Sequence, residues 1–382
     1  MDFELSDEQR LIQQTAREFA EAEVAPHAAA FDQRAEFPYE IVSKMAELGL
    51  MGLPIPEEFG GAGADTISYA LAVEELARAD ASVAITMAAH VSLGTMPFLL
   101  FGTSEQKEKY IPSLASGERL WAFGLTEPNA GSDAGATQTR ASLGDGTWVV
   151  NGTKSFITNS GTRLTAGVTV TAVTGPSSNG HAEVSNLIIP AETEGFTVAK
   201  DYHKMGWRAS DTHELAFQDA RVPEENLLGE RGKGFRQFLT ILDGGRISIA
   251  ALSVGLAQAC LDASVKYARE RTQFGKPIGS FEGIQFKIAE MATRIEHARL
   301  MTYKAAWLKD KGKDFAMAAG MAKLFSSRIA TLAADEAVQI HGGYGVMEEY
   351  PVARYWRDVK IGEIGEGTSE IQKLVIARML DL

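Results

Sequence analysis

The stretch RLWAFGLTEPNAGSDAGATQTRA (residues 119–141) is where the sequence changes from helical to strand character. Before it, apolar residues recur at helical spacing. After it come short β-rich runs such as TWVVNGTKSFIT and AGVTVTAV, separated by Gly, Asn, Asp and Pro. Strands spaced in this way predict a compact antiparallel barrel or sandwich. The loop after Gly124 combines further glycines with Thr126, Asn129 and Ser132. Its many backbone N–H groups suit a polar heterocycle or a pyrophosphate, although an ordinary β-turn has the same composition.

On either side of this stretch the chain has helical patterns. Ser6, followed three residues later by Gln9, is a capping box that begins a helix, and further helices continue to about residue 120. The helical period returns near Gly232, in long segments at 234–271, 281–311, 314–341 and 351–358, and again after Thr368. Long helices with short connections form an antiparallel bundle. The sequence therefore predicts an α+β multidomain protein, with an N-terminal all-α domain (1–120), a central antiparallel β-barrel domain (121–231) and a C-terminal four-helix bundle (232–382).

Composition restricts the class of protein. A chain of 382 residues, 45% of them hydrophobic, can build two or three substantial cores. The formal net charge of −13 disfavours nucleic acid and anionic membranes as partners, although a local basic cleft could hold an anion. The single cysteine, Cys260, and the acidic N-terminus indicate a cytoplasmic location. The apolar run at 247–261 is too short and too rich in small residues for membrane insertion and predicts a buried helix.

Several common catalytic motifs are missing from the sequence. No G-x-G-x-x-G follows a strand, and there is no G-x-x-x-x-G-K-[ST] loop, so nicotinamide-type and P-loop nucleotide sites are unsupported. No G-x-S-x-G elbow or H-E-x-x-H helix occurs either. With one cysteine and seven scattered histidines, we expect no metal site.

Four further segments carry polar groups in glycine-rich settings. NGTKSFITNS (151–160) places Phe156 and Thr158 two residues apart on one strand face, which suits a ring system or ordinary core packing. RERTQFGKPIGSFEGIQF (269–286) and QIHGGYG (339–345) either bind phosphate or end helices. IGEIGEGTSEIQ (361–372) places Glu366 between two glycines, on a backbone that is free to approach a ligand or to form a surface turn.

The order and wording of these segments are far more specific than any one of them. The blocks LTEPNAGSD, NGTKSFITN, RTQFG, QIHGGYG and GEGTSEIQ resemble the acyl-CoA dehydrogenase family, in this order and at these separations. The resemblance runs from LSDEQ near the N-terminus to EIQKLVIARML at the end. It implies the same architecture that the periodicity predicts: an α-helical domain, a β-barrel and a four-helix bundle.

The resemblance also implies a reaction. Enzymes of this family hold FAD and desaturate the α,β bond of a coenzyme A thioester to a trans-2-enoyl-CoA. The family's base is the carboxylate of its Glu-Gly-Thr motif, which corresponds to Glu366, and the backbone N–H of the same glutamate binds the thioester carbonyl. Burial beside an apolar acyl chain should raise the pKa of Glu366 towards neutrality. The β-hydrogen leaves as hydride to the flavin, and an electron-transfer flavoprotein then receives the electrons.

Other site residues follow by similarity. Those implied to contact the cofactor within one subunit are Phe123, Leu125, Thr126, Ser132, Phe156, Thr158, Thr368 and Glu370. Those implied to reach the FAD of a neighbouring subunit are Arg271, Phe274, Gln339, Gly342 and Gly343, which implies at least a dimer. Because family members are usually homotetramers, the resemblance further implies a homotetramer built as a dimer of dimers. Those implied to contact the substrate are Ser132, Asp243, Arg246 and Gly367.

The sequence departs from the family pattern at three places, Phe156, Glu282 and Gly365. Phe156 stands where tryptophan is frequent, and Glu282 where a flavin-contacting glutamine is common. Some branches place the base beside the arginine that corresponds to Arg246, but here that position is Gly245, which leaves Glu366 as the candidate base. Gly365 replaces a common tyrosine directly before the base. We hypothesise that Gly365 widens the pocket near the reacting carbons and favours branched or bulky acyl groups.

Two other functions remain open at this point. The first is an acyl-CoA oxidase, in which oxygen reoxidises the flavin, although known two-bundle oxidases are much longer. The second is a catalytically silent helical assembly protein, against which the retained Glu366 argues. The expected pathway is fatty acid β-oxidation.

Overall fold

Helices form both ends of the chain and a β-sheet forms its middle, in the order that the sequence predicts. The computed structural model describes residues 3–178 and 181–382. Seven helices come first: α1 (Asp7–Phe19), α2 (Ala25–Arg34), α3 (Tyr39–Glu47), α4 (Thr66–Ala79), α5 (Ala81–Ala89), α6 (Met96–Phe101) and α7 (Ser104–Ala115). The capping box at Ser6 and Gln9 is formed, so this prediction is confirmed. Short π-helical turns connect α1 to α2 and α5 to α6, which makes two longer, bent helical units.

The central region is a single mixed sheet. Its strands are β1 (Leu120–Gly124), β2 (Arg140–Gly144), β3 (Thr147–Thr158), β4 (Thr165–Ser178), β5 (His181–Pro190), β6 (Phe196–Asp201), β7 (Thr212–Pro223) and β8 (Leu227–Leu228). The spatial order is β6-β7-β3-β2-β4-β5-β8, and β1 lies parallel to β4. The prediction of a closed antiparallel barrel is therefore wrong in detail. Among the described residues no ladder joins β6 to β8, and two of the pairings are parallel.

The C-terminal region is helical. A two-residue hairpin, β9 (Thr272–Gln273) and β10 (Lys276–Pro277), separates α8 (Gly234–Glu270) from α9 (Glu282–Asp310). Helices α10 (Ala316–His341), α11 (Pro351–Gly362) and α12 (Ser369–Met379) follow. Helices α8, α9 and α10 pack on one another, and α11 packs on α8 and α10, which gives the predicted four-helix group. Helix α12 packs on α10.

Helix α8 connects the three regions. On one side it packs so closely against α4 that a Cβ at Gly255 would lie 2.2 Å from the carbonyl oxygen of Glu74. At its start, a Cβ at Gly234 would lie 2.6 Å from the backbone of Ser185 on β5. The ring of Phe238 stacks on Phe123 of β1 at 5.5 Å. One rigid helix thus fixes the sheet against the helical core.

Two helical stretches are long and apolar enough to cross a membrane by length and composition. They are Ala81–Phe101 and Gly234–Glu270, and 78% of the most apolar window of each is buried inside the protein. The second stretch includes the run at 247–261, most of which lies in the core as predicted. Both stretches therefore have the burial of core helices.

Candidate active site

Glu366 lies on the short connection between α11 and α12. Its backbone is left-handed, with φ of +52°, and the next residue, Gly367, has φ of +94°. A non-glycine residue rarely adopts this conformation, and such residues concentrate at functional sites. The connection ends where Thr368 caps α12, its hydroxyl oxygen accepting a hydrogen bond from the backbone N–H of Ile371 at 3.3 Å. In the part of the chain that the structure describes, the hydroxyl hydrogen of Thr368 has no acceptor, so it is available to a ligand.

The carboxylate of Glu366 is buried against α8. Both of its oxygen atoms lack a hydrogen-bond partner among the described residues. An ideal Cβ at Gly245 would lie 2.1 Å from Oε2, so the carboxylate rests on the bare backbone of α8. Burial raises the pKa of Glu366 to about 7, against the opposing charges of Lys323 and Arg246. A buried carboxylate without a partner is costly, which is typical of a group that awaits a ligand.

Asp243 and Arg246 lie on the same turn of α8 as Gly245. The Arg246 guanidinium is buried and donates to Asp243 Oδ1 at 2.5 Å, while its Nε has no partner among the described residues. Burial raises the pKa of Asp243, and the charge of Arg246 opposes that shift. A buried arginine with an unused donor beside a candidate base is a fitting anchor for a polar part of a substrate.

In the sheet, a buried ion pair holds the loop that follows β1. Lys154 on β3 is fully buried, and its Nζ donates to Glu127 Oε1 at 2.7 Å and to the carbonyl oxygen of Leu125 at 3.1 Å. Glu127 also accepts from the backbone N–H groups of Gln138 and Thr139. Burial alone would raise the pKa of Glu127, but Lys154 and the hydrogen bonds from Thr137 and Thr139 lower it to about 2. The loop from 125 to 139 is thereby tied to the sheet at both ends.

The surface beside this loop is aromatic and polar. The side chain of Phe156 is 63% exposed, its backbone has φ of +62°, and its ring lies 4.9 Å from that of Tyr202. Ser155 and Ile157 are buried whereas Thr158 is half-buried, so Phe156 and Thr158 share the outer side despite a bulge in this part of β3. The N–H of Ser155 donates to the carbonyl oxygen of Thr126 at 2.8 Å, which brings the half-buried Thr126 next to Phe156.

The remaining predicted residues of this region lie close by along the chain. Leu125 packs on the small apolar cluster around Phe123, Phe238 and Ile241. Ser132 is exposed on the loop. Glu370 is exposed in the first turn of α12.

A second group of predicted residues lies at the far end of α8. Phe274 on the hairpin after α8 is 92% exposed, and Gln339, Gly342 and Gly343 are exposed at the end of α10. The Arg271 guanidinium lies 5.4 Å from the centre of the Tyr344 ring, which places these segments side by side. The 37-residue α8 separates Phe238, at the sheet, from Arg271 by about 50 Å. Within one chain, the two groups therefore do not form one site.

Comparison with known proteins follows the same three-part division. Family models described as the N-terminal, middle and C-terminal domains of acyl-CoA dehydrogenase match residues 6–118, 122–220 and 232–380. This chain belongs to the acyl-CoA dehydrogenase family. A curated relative, "Probable acyl-CoA dehydrogenase YngJ" of Bacillus subtilis, is 57% identical over 100% of both chains. The predicted family, its helical, β and helical organisation and its enzyme class are confirmed.

Two solved structures of family members are similar over the whole chain. Butyryl-CoA dehydrogenase from Megasphaera elsdenii is 46% identical and covers 100% of each chain, with a TM-score of 0.97. A chain in a structure described as the electron transferring flavoprotein of Acidaminococcus fermentans is 45% identical, with a TM-score of 0.96, and the match covers 100% of this chain and 99% of that one.

The side chains of the sheet region fit the FAD on which this family depends. A planar ring needs an apolar surface, and Phe156 offers an exposed aromatic ring beside the hydroxyls of Thr126 and Thr158. The backbone N–H groups of Gly131, Ser132 and Asp133 have no acceptor within the described part of the chain, so they remain available to the polar atoms of a cofactor. Glu282 is exposed in the first turn of α9 and forms no ion pair among the described residues.

Some residues of this site escape sequence reasoning. Glu127 and Lys154 stand 27 positions apart and look like ordinary loop and strand residues, yet they form a buried pair. Lys323 in α10 and Gln372 in α12 are fully buried and bind the backbone carbonyls beside Glu366. The sequence offers one signal for Lys323: this lysine stands in a run of small and apolar residues (MAAGMAKLF), which is typical of a buried helix, whereas lysine is usually exposed to solvent.

Proposed function

We propose that this chain is an FAD-dependent acyl-CoA dehydrogenase whose catalytic base is Glu366. The observation that carries the proposal is the Glu366 carboxylate, both of whose oxygen atoms are buried without a partner among the described residues. The α-proton of a thioester is weakly acidic, so its removal needs a base placed directly on it. A carboxylate with a pKa of about 7 is ionised in a useful fraction near neutral pH and is a stronger base than an exposed one.

In the proposed reaction, the α C–H bond of an acyl-CoA breaks and its proton moves to a carboxylate oxygen of Glu366. The electron pair of that bond forms the new α,β double bond as the β-hydrogen departs with its own pair. FAD, when bound, would supply the acceptor for that hydride, and the product would be the trans-2-enoyl-CoA. The N–H of Glu366 has no acceptor among the described residues, so it is free to stabilise the developing thioester oxyanion. Arg246, with its unused Nε, and Asp243 bind a polar part of the coenzyme A or border the acyl pocket.

The proposed electron acceptor is an electron-transfer flavoprotein. The similarity to a chain in a structure described as an electron transferring flavoprotein supports this choice over oxygen. The experiment is anaerobic reduction of the bound flavin by a panel of acyl-CoAs, followed by mixing with either an electron-transfer flavoprotein or air. Rapid reoxidation by the flavoprotein and slow reaction with air support a dehydrogenase. Rapid peroxide formation would instead identify an oxidase, and a purified protein that takes up no FAD would indicate a silent assembly protein.

We further propose that the active unit is a homotetramer, a dimer of dimers, in which each cofactor is held by two chains. The support is the separation of about 50 Å along α8 between the Phe123 group and the Arg271 group. An exposed Phe274 in a left-handed backbone is also typical of an anchor in an interface. Light scattering with and without FAD, on wild type and Phe274→Asp, tests this. The substitution should lower both the molar mass and the FAD occupancy, and an FAD-loaded monomer would contradict the proposal.

For the substrate, we propose an acyl group that is branched or bulky near the reacting carbons. A Cβ at Gly365 would meet only the carbonyl oxygen of Ile361 within 4 Å, at 3.5 Å, among the described residues. Within the described residues, no side chain therefore lies within 4 Å of this position next to Glu366. We place the enzyme in cytoplasmic fatty acid β-oxidation, for which the buried, unpaired Cys260 suits a reducing compartment.

A further inference from the structure

Lys323 is one of the largest fully buried side chains of the protein, although lysine is almost never fully buried. It is the eighth of the 26 residues of α10, and its Nζ donates to the carbonyl oxygen of Gly367 at 2.6 Å. Among the described residues, no carboxylate lies within 4 Å of this ammonium group. A charge buried in this way is costly, so its position needs an explanation other than an ion pair.

Gln372 acts on the same two peptide groups. Its side chain is fully buried, and its Nε2 donates to the carbonyl oxygens of Glu366 at 3.2 Å and Gly367 at 3.1 Å. The fit is tight, because a Cβ at Gly367 would lie 2.7 Å from this Nε2. Lys323 and Gln372 thus hold the two carbonyls that belong to the left-handed residues of the connection.

The orientation of these peptide groups decides where the reactive atoms point. Glu366 has φ of +52°, which is costly for a residue other than glycine and persists where surrounding contacts hold it, and Gly367 follows with φ of +94°. The Glu366 carbonyl, the side chain whose carboxylate now rests on Gly245 and the free N–H of Glu366 all join at one Cα, so holding the carbonyls limits how far this residue can turn. A charge-assisted hydrogen bond is among the strongest neutral-pH contacts available for fixing such a carbonyl.

We propose that Lys323 is a positioning residue for proton abstraction, which fixes the Glu366–Gly367 backbone through the Gly367 carbonyl while its positive charge favours the ionised form of Glu366. This inference rests on the proposed role of Glu366 as the base. It adds that the position and the ionisation of the base depend on a cation from a different helix, since Lys323 precedes Glu366 by 43 positions in the chain.

The charged groups around Glu366 support this assignment. From α10 comes Lys323, from α8 come Arg246 and Asp243, and from α4 comes the phenol of Tyr69, while Glu363 and Glu370 flank the connection itself. After burial, Lys323 is the largest influence on the pKa of Glu366, ahead of Arg246, whose charge is shared with Asp243. Burial lowers the pKa of Lys323 to about 8, and the Glu366 charge opposes that shift.

The test compares Lys323→Met with Lys360→Met, which removes the same charge from an exposed position on the neighbouring α11. The probe is a 3-thiaacyl-CoA, in which sulfur replaces the β-carbon. It can lose its α-proton but has no β-hydrogen to transfer. Its enolate beside oxidised flavin gives a long-wavelength absorption band, so the pH at which the band appears reports proton abstraction alone. Because the nearby cation is lost, Lys323→Met should move this midpoint upward by about one pH unit. It should also slow flavin reduction by true substrate about tenfold or more.

Two further measurements distinguish the effect of the hydrogen bonds that position the Glu366–Gly367 backbone from the effect of the Lys323 charge. Gln372→Met removes the neutral contact only, so it should slow flavin reduction while leaving the pH midpoint unchanged. Hydrogen exchange of the peptide that covers 361–372, measured without substrate, should be faster in both Lys323→Met and Gln372→Met than in wild type. If Lys323→Met folds poorly, Gln372→Met still tests whether the hydrogen bonds to the Glu366 and Gly367 carbonyls affect the rate of flavin reduction.

The outcomes distinguish this inference from the proposed function. If wild type gives neither the band nor flavin reduction with any acyl-CoA, the proposed function is wrong. If wild type is active and Lys323→Met matches Lys360→Met in midpoint and rate, the role of Lys323 is overturned. Gln372→Met with wild-type exchange and rate would overturn it equally.

Discussion

The carboxylate of Glu366 occupies the space that a side chain at Gly245 would need. An ideal Cβ at Gly245 lies 2.1 Å from Glu366 Oε2, well inside van der Waals contact. The neighbouring Gly244 is different, because its Cβ would meet only Lys309 Nζ, at 3.6 Å. The absence of a side chain at one helical position therefore makes room for the Glu366 carboxylate, and the same position carries no carboxylate of its own.

We predict that Gly245→Ala abolishes most of the activity while the fold survives. The new Cβ would clash with Glu366 Oε2, which is at the end of a flexible side chain. The carboxylate should therefore move away while the backbone of α8 stays in place. A base misplaced by about 1 Å costs roughly a hundredfold in rate. Anaerobic flavin reduction measures this, with FAD content as the check on folding.

The matched control is Gly244→Ala. It should retain near-wild-type reduction and gain a little stability, because alanine favours a helix by about 1 kcal/mol over glycine. Equal activity in the two alanine variants would contradict the geometry described for Glu366.

The raised pKa of Glu366 predicts a pH-dependent stability. Its pKa is about 7 in the folded protein and 4.5 in its ordinary state, so the folded form binds the proton more tightly. Stability is therefore lost as the pH rises from about 4.5 to 7, and Glu366→Gln escapes this loss. The variant should gain up to about 2 kcal/mol over wild type between pH 5 and pH 8. Thermal unfolding of the FAD-loaded proteins checks this, with the exposed Glu349→Gln as control. A gain that does not change with pH would refute the assignment.

The buried Glu127–Lys154 ion pair predicts that a second substitution, at Glu127, partly restores what a substitution at Lys154 destabilises. Lys154→Met leaves a buried carboxylate without its cation, which costs about 3–5 kcal/mol and should release the loop that adjoins Phe156. Lower FAD occupancy and a lower melting temperature are expected. Adding Glu127→Gln removes the stranded charge and should restore part of both. If the double variant is no better than Lys154→Met, the pair does not hold the loop as a charged unit.

Gly365 is predicted to set the shape of the substrate. Gly365→Tyr should fill the space beside the reacting carbons and reduce kcat/KM for branched acyl-CoAs about tenfold relative to straight ones. Gly144→Tyr, at an exposed glycine on β2 with nothing within 4 Å of its Cβ, is the control for the added ring. An unchanged ratio of branched to straight kcat/KM would dismiss the hypothesis.

The sequence predicted what local patterns determine. Helical period, turn residues and the capping box at Ser6 located the helical and β regions, and the five blocks led to the family. It did not predict how the sheet edges meet, because whether β6 and β8 pair depends on the twist and length of strands far apart in the chain. A closed barrel was therefore expected where the ladder is open.

The candidate site shows the same division. Glu366 is predicted from its motif, but its contact with Gly245 arises from packing between segments 121 residues apart. Lys323 and Lys154 look like exposed residues in sequence, since lysine is seldom buried. Only the packed structure brings each to the backbone or carboxylate that it binds.

The central claim, that Glu366 removes the α-proton, is tested most directly by anaerobic flavin reduction in Glu366→Gln. The variant should bind acyl-CoA with an affinity close to that of wild type, because the amide has the size of the carboxylate. Without a base, flavin reduction at saturating substrate should be slower by about a thousandfold. Near-normal reduction in Glu366→Gln would contradict the account.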